Sequence, residues 1–260
     1  MSTAPDPGAP PALSAQPGPS EPLALELEHV SAAYGRFRAL FDVSFSVRKG
    51  TVAAMLGPNG AGKSTIARVI SGTVACTAGR VLVAGQDVTG LAPWRRVHLG
   101  VAYAPEGRPV FATLDVEDNL RLTFCRQLPR KEAARALERT YASFPELAKR
   151  RRQLAGTLSG GEQRILALAR VLAIPPKLLV VDELSLGLAP RVVDEVFKAL
   201  REINETGTTL LVVEQQAARA LELAEQVIVL RKGTVAHALP TSEVSADLAA
   251  QLLPVPPEVA

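Results

Sequence analysis

Residues Gly57-Pro58-Asn59-Gly60-Ala61-Gly62-Lys63-Ser64-Thr65 constrain the fold more tightly than any other stretch of this chain. They fit the pattern G-x-x-x-x-G-K-[ST]. The apolar run Thr51–Leu56 precedes them, and a helical pattern starts near Lys63. Glycines let successive backbone N–H groups converge on phosphate oxygens, and the positive end of the next helix adds to that attraction. Strand, loop and helix in this order imply an α/β core that binds a nucleoside triphosphate. Lys63 is then placed to reach the β- and γ-phosphates, and the Ser64 hydroxyl to coordinate Mg²⁺.

A second apolar strand, Leu178–Asp182, ends in the adjacent carboxylates Asp182 and Glu183. At the carboxyl end of a parallel strand such groups stand beside the phosphate loop. Asp182 suits the Mg²⁺ sphere through water, and Glu183 suits polarising the attacking water. Further strands are expected at Val81–Val83, Leu99–Tyr103, Thr208–Val213 and Val227–Leu230. Before the loop, Leu23, Leu25 and Leu27, then Val43, Phe45 and Val47, alternate as half-buried strands. Val193, Val196, Phe197, Leu200 and Ile203 share one helical face. Strand–helix alternation of this kind predicts a mostly parallel sheet covered by helices. From about Gly107 to Leu158 the rhythm breaks. Ala134, Leu137, Tyr141 and Phe144 there predict an amphipathic helix within a helical insertion of about fifty residues.

Composition narrows the class. Over 260 residues, 47% apolar and 21% charged match a soluble globular chain that needs no metal or disulfide to hold its core. Cys76 and Cys125 alone supply neither a disulfide framework nor a zinc ribbon, and fit a reducing compartment. No apolar run approaches the ~20 residues of a membrane-spanning helix. Residues 1–22 carry seven prolines and no Lys or Arg, and read as a disordered tail rather than a targeting signal. A flexible tail is expected over 246–260. The net charge of +3 is too small to name a partner. The run Lys149-Arg150-Arg151-Arg152 has no interleaved aromatic residue, so it reads as a solvated face and not as a nucleic-acid site.

Leu158-Ser159-Gly160-Gly161-Glu162-Gln163 begins 24 residues before Asp182 and opens another helix. Ser159 can cap it, and Gly160-Gly161 exposes N–H groups at its positive end, a second phosphate-binding surface. With the phosphate loop before it and the acidic strand after it, this hexapeptide resembles the signature of the ATP-binding cassette (ABC) ATPases. The resemblance covers about residues 23–245. It implies a mostly parallel α/β core, an N-terminal antiparallel β subdomain and a helical subdomain over about 107–158. It also implies that Ser159, Gly160, Gly161, Glu162 and Gln163 close on ATP held by a second subunit in a head-to-tail dimer. Tyr34, 23 residues before Gly57, falls where the family stacks an aromatic ring on adenine.

Two positions depart from the family pattern. Glu106 stands where a glutamine normally senses Mg²⁺ and the attacking water, and Gln215 stands at the usual switch histidine. Pro105-Glu106-Gly107-Arg108, Ser185-Leu186-Gly187-Leu188-Ala189-Pro190 and Val213-Glu214-Gln215 together resemble ATPase subunits of branched-chain amino acid importers. Leu184 replaces that branch's usual proline, and Pro109 a common arginine. The resemblance implies transmembrane permease subunits as separate chains, a second ATP-binding subunit and, indirectly, an extracytoplasmic solute-binding protein. It places the chain peripherally on the cytoplasmic face of the plasma membrane. Cargoes such as urea, short amides or another small polar solute, and a soluble non-transport role, stay open.

Overall fold

The computed structural model describes residues 21–107, 110–171, 175–215, 217–245 and 248. The tails expected over 1–22 and 246–260 lie outside these residues, save for 21, 22 and 248, and so do Arg108 and Pro109. Strands β1 (Leu23–Tyr34) and β2 (Phe37–Arg48) form a long antiparallel hairpin. Its two-residue connection starts at Gly35, whose φ of 59° suits a residue without a Cβ. Then come β3 (Val52–Leu56), α1 (Lys63–Ser71), β4 (Cys76–Val83), β5 (Gln86–Asp87), α2 (Pro93–His98) and β6 (Val101–Ala104). The insertion carries α3 (Val116–Gln127), α4 (Arg130–Ser143) and α5 (Pro145–Lys149). After it lie α6 (Gly160–Val171), β7 (Leu178–Asp182), α7 (Pro190–Glu205), β8 (Thr209–Val213), α8 (Ala217–Leu223), β9 (Gln226–Arg231) and β10 (Thr234–Pro240).

Two sheets result. One is antiparallel, in the order β2-β1-β4-β5; the other runs β10-β9-β3-β8-β7-β6 and is parallel except for β10. Every residue of β3, β7 and β8 is buried, because helices or the other sheet cover both faces. Helix α1 lies in the core between the two sheets. Ile66, Val69 and Ile70 pack with Leu25, Val43 and Val81 on one side and with Met55, Val180 and Leu211 on the other. The opposite face of the parallel sheet is covered by Val196 and Leu200 of α7 and Ala217 and Ala220 of α8. A third cluster, including Val116, Leu120, Phe124, Leu137 and Leu147, belongs to the insertion and joins the main body through Leu166 and Ala169 of α6.

Three expectations shift. Strand β6 starts at Val101, not Leu99, because Leu99 ends α2 and Gly100 turns the chain at φ 95°. The buried face of α4 is Ala133, Ala136, Leu137 and Thr140, an i, i+3, i+4, i+7 set, while Ala134 is exposed. Close packing of α4 on its neighbours favours the small residues one position earlier. Strands β5 and β10 and helix α2 are too short, or too mixed in polarity, to stand out from the sequence.

Candidate active site

The phosphate loop leaves β3 and enters α1 as the motif requires. Gly57, Gly60 and Gly62 take φ values of 150°, 76° and 105°, in the region that disfavours other residues. At Gly57 the demand is doubled, since a Cβ would collide with the Leu230 carbonyl. Gly62 caps α1 without a side-chain hydrogen bond, and the first turn holds no acidic residue, so the positive helix end is left for an anion. Lys63 is buried; its Nζ donates to the carbonyls of Gly57 (2.9 Å) and Pro58 (3.3 Å) and lies 3.6 Å from Glu183 Oε1.

Asp182 ends β7 with none of its surface exposed. Ser64 Oγ donates to its Oδ1 at 2.9 Å, and the Tyr103 hydroxyl donates to its Oδ2 at 3.0 Å. Burial pushes the Asp182 carboxyl above its ordinary range, the two donors oppose that rise, and neighbouring Glu183 adds to it. Burial, reinforced by Asp182, also pushes the Tyr103 phenol upward, so it remains a donor. Glu183 adopts φ 49°, which breaks the strand's alternation and turns the chain, and its N–H donates to the Val213 carbonyl at 2.9 Å. Gln215 Nε2 donates to Glu183 Oε2 at 2.8 Å. Lys63, Glu183 and Gln215 therefore meet.

A cleft of about 710 Å³ is lined by Lys63, Ser64, Glu183 and Gln215 together with Tyr34 and Glu106. Asn59, Gly60, Gly62 and Thr65 of the loop also line it. Ala61 is buried instead, and its carbonyl accepts from the Gly233 N–H. Tyr34 is 42% exposed at the end of β1, and Arg68 Nη1 approaches its hydroxyl at 3.5 Å. Ser159, Gly160, Gly161, Glu162 and Gln163 are not among the lining residues. They start α6, where the Ser159 N–H donates to Glu162 Oε2 (2.8 Å) and the Glu162 N–H donates to Ser159 Oγ (3.3 Å), a reciprocal cap. Arg150 lies 2.6 Å from Glu162, and Gln163 Nε2 donates to the Ala155 carbonyl at 2.9 Å.

Tyr103 was not foreseen as a site residue. The signal lies in strand register: Tyr103 pairs with Val180, so it shares a sheet face with Asp182 two residues on. That requires knowing that β6 neighbours β7, which no local pattern states. The aromatic pair Phe37 and Phe41, which also lines the cleft, falls in the same class.

A phosphate loop between a parallel strand and a helix, facing a carboxylate pair, defines a nucleoside-triphosphate hydrolase of the α/β type. Residues 40–185 match the ABC transporter family. The chain is 39% identical to the high-affinity branched-chain amino acid transport ATP-binding protein BraG of Pseudomonas aeruginosa. That match runs over 212 residues, 81% of this chain and 90% of the relative. It is 36% identical to the probable branched-chain amino acid transport ATP-binding protein LivF of Archaeoglobus fulgidus, over 80% of this chain and 88% of that one. An ATP-binding cassette of an ABC transporter, solved in its ADP conformation, superposes with a TM-score of 0.76 at 26% identity; the match covers 88% of this chain and 98% of that one. The chain belongs to the ABC transporter family and is an ATPase of that type.

Proposed function

We propose that the chain is the ATP-hydrolysing motor subunit of an importer for branched-chain amino acids. The observation that carries the hydrolytic part is the meeting of Lys63, Glu183 and Gln215 in one cleft, with a 2.8 Å hydrogen bond from Gln215 to Glu183. Lys63 and the loop N–H groups hold the triphosphate, Tyr34 stacks on the base, and Glu183 accepts a proton from the attacking water. Gln215 orients the Glu183 carboxylate and presents its own carbonyl to the water. The Ser64 hydroxyl and the Asp182 carboxylate are hard oxygen donors 2.9 Å apart, a pair that fits Mg²⁺, with Glu106 on the same cleft. When bound there, Mg²⁺ neutralises phosphate charge.

Names of the relatives support the cargo. No helix among the described residues is long and apolar enough to cross a membrane; in the proposed role, permease subunits provide the membrane passage. The signature at Ser159–Gln163 closes on the ATP of a second ATP-binding subunit, and the assembly works at the cytoplasmic face of the membrane. The test is reconstitution of this chain with its permease and second ATP-binding subunit in vesicles. ATP-driven leucine uptake that stops in the Glu183→Gln variant is expected. Uptake of urea or short amides instead would reassign the cargo. Failure to co-purify with any membrane-spanning subunit would favour a soluble role.

A further inference from the structure

Glu214 is a buried carboxylate that the hydrolytic scheme leaves without a task. It is 2% exposed, between Val213 and Gln215 at the end of β8. Its Oε1 accepts the Ser185 N–H at 3.1 Å, and its Oε2 accepts the Ser185 hydroxyl at 2.6 Å. It also accepts the N–H of Gln215, and burial pushes its carboxyl above the ordinary range. The preceding strand positions, Leu210 through Val213, are all apolar and buried. An apolar side chain at 214 would fill space without the desolvation penalty of a buried carboxylate.

What the carboxylate holds is the turn that carries Glu183. That turn is strained, because Glu183 sits at φ 49°, a conformation that side chains other than glycine's keep only when their surroundings enforce it. Upstream, the Glu183 N–H is tied to the Val213 carbonyl. Downstream, Ser185 is gripped twice by Glu214, and the Leu184 carbonyl between them accepts Arg164 Nη1 from α6. Val213 and Glu214, the two residues before Gln215, thus fasten both sides of Glu183, while the Gln215 amide touches its carboxylate. We propose that Glu214 is a positioning residue: by clamping Ser185 it fixes the turn that aims Glu183 at Gln215 and the attacking water. The assignment rests on Glu183 being the base.

The test is a double-mutant cycle on the full chain assembled with its partner subunits, reading kcat and KM for MgATP. Ser185→Ala deletes the shorter bond with little disturbance of volume, and Glu214→Gln keeps size while losing one acceptor. Each is expected to lower kcat about tenfold, the loss of one hydrogen bond to a charged group, with KM within about twofold. The double variant should be no slower than the slower single variant, because both break one clamp. Wild-type kcat in Ser185→Ala, losses that multiply in the double variant, or a change confined to KM would overturn the proposal. Glu183→Gln is the control that separates the two readings. If it turns over at the wild-type rate, the base assignment fails and the clamp with it; if it is inactive while Ser185→Ala is unimpaired, the clamp alone fails.

Discussion

Lys63 Nζ has three oxygen neighbours, the loop carbonyls of Gly57 and Pro58 and the Glu183 carboxylate after β7, and it is the only side-chain cation of the loop motif. Lys63→Ala removes the charge that offsets the γ-phosphate, so MgATP affinity measured calorimetrically should fall by about 100-fold. Glu183→Gln keeps the shape and the neighbours of the base while losing its basicity. It should bind ATP normally and hydrolyse it about 1,000-fold more slowly in a single-turnover assay. Gln215→Ala deletes the 2.8 Å bond to Glu183 and should slow hydrolysis by about 10–100-fold without loss of ATP affinity. An amide does not titrate, so Gln215→His should retain activity and gain a pH dependence between about 6 and 7 that the parent lacks. Most of this site was legible in the sequence because its residues sit in two short motifs with local geometry. Tyr103 and Glu214 were not, because each acts across a strand pairing, on Asp182 and on Ser185.

Helix α1, which presents Lys63 and Ser64 at its start, is held at its other end by the buried Arg96. The guanidinium donates to the carbonyls of Val69 (2.7 Å) and Ile70 (2.9 Å), and to those of Thr89 (2.8 Å) and Leu91 (3.1 Å). A cation at the negative helix end is favourable, and the hydrogen bonds Arg96 makes among the described residues all go to carbonyls, none to a carboxylate. Arg96→Met would keep the bulk and strand the carbonyls, so urea denaturation should show about 2–4 kcal/mol less stability. In the insertion, the buried Tyr141 hydroxyl has no hydrogen-bond partner among the described residues, and burial pushes its pKa up to about 12. Tyr141→Phe should leave stability unchanged or raise it by about 1 kcal/mol, read as a higher Tm. Elements covered on both faces, such as β3 and β7, announce themselves as continuous apolar runs. Helix α4 was legible as an element but not in rotation, since the large Leu137 and Tyr141 dominate its pattern while Ala133 and Ala136 decide where it packs. The start of β6 was hidden because Leu99 completes α2.

On the scale of the whole molecule, the two phosphate-attracting helix starts belong to different surfaces. That of α1 faces the cleft, whereas that of α6 contributes no residue to it. The capping pair at α6 uses the N–H groups of Ser159 and Glu162, not those of Gly160 and Gly161, and Arg150 offsets the Glu162 carboxylate close to the helix end. Gly161 is further constrained, since a Cβ there would meet a methyl group of Val192 on α7. On the proposed function, this helix start, kept apart from the cleft of its own chain, would serve a head-to-tail pair in which each subunit closes on the nucleotide of the other. Gly160→Asp therefore places a negative charge at the helix start without touching the cleft. ATP affinity of the isolated chain should stay within about twofold of the parent, as expected for a site distant from the change. Turnover of the assembled pair should fall by at least about 100-fold, because a like charge faces the incoming phosphate. Equilibrium binding on the isolated chain, beside ATPase rates measured against protein concentration, checks both halves. A parallel loss of affinity in the isolated chain would mean that the α6 start serves its own cleft, and the head-to-tail arrangement would lose its support.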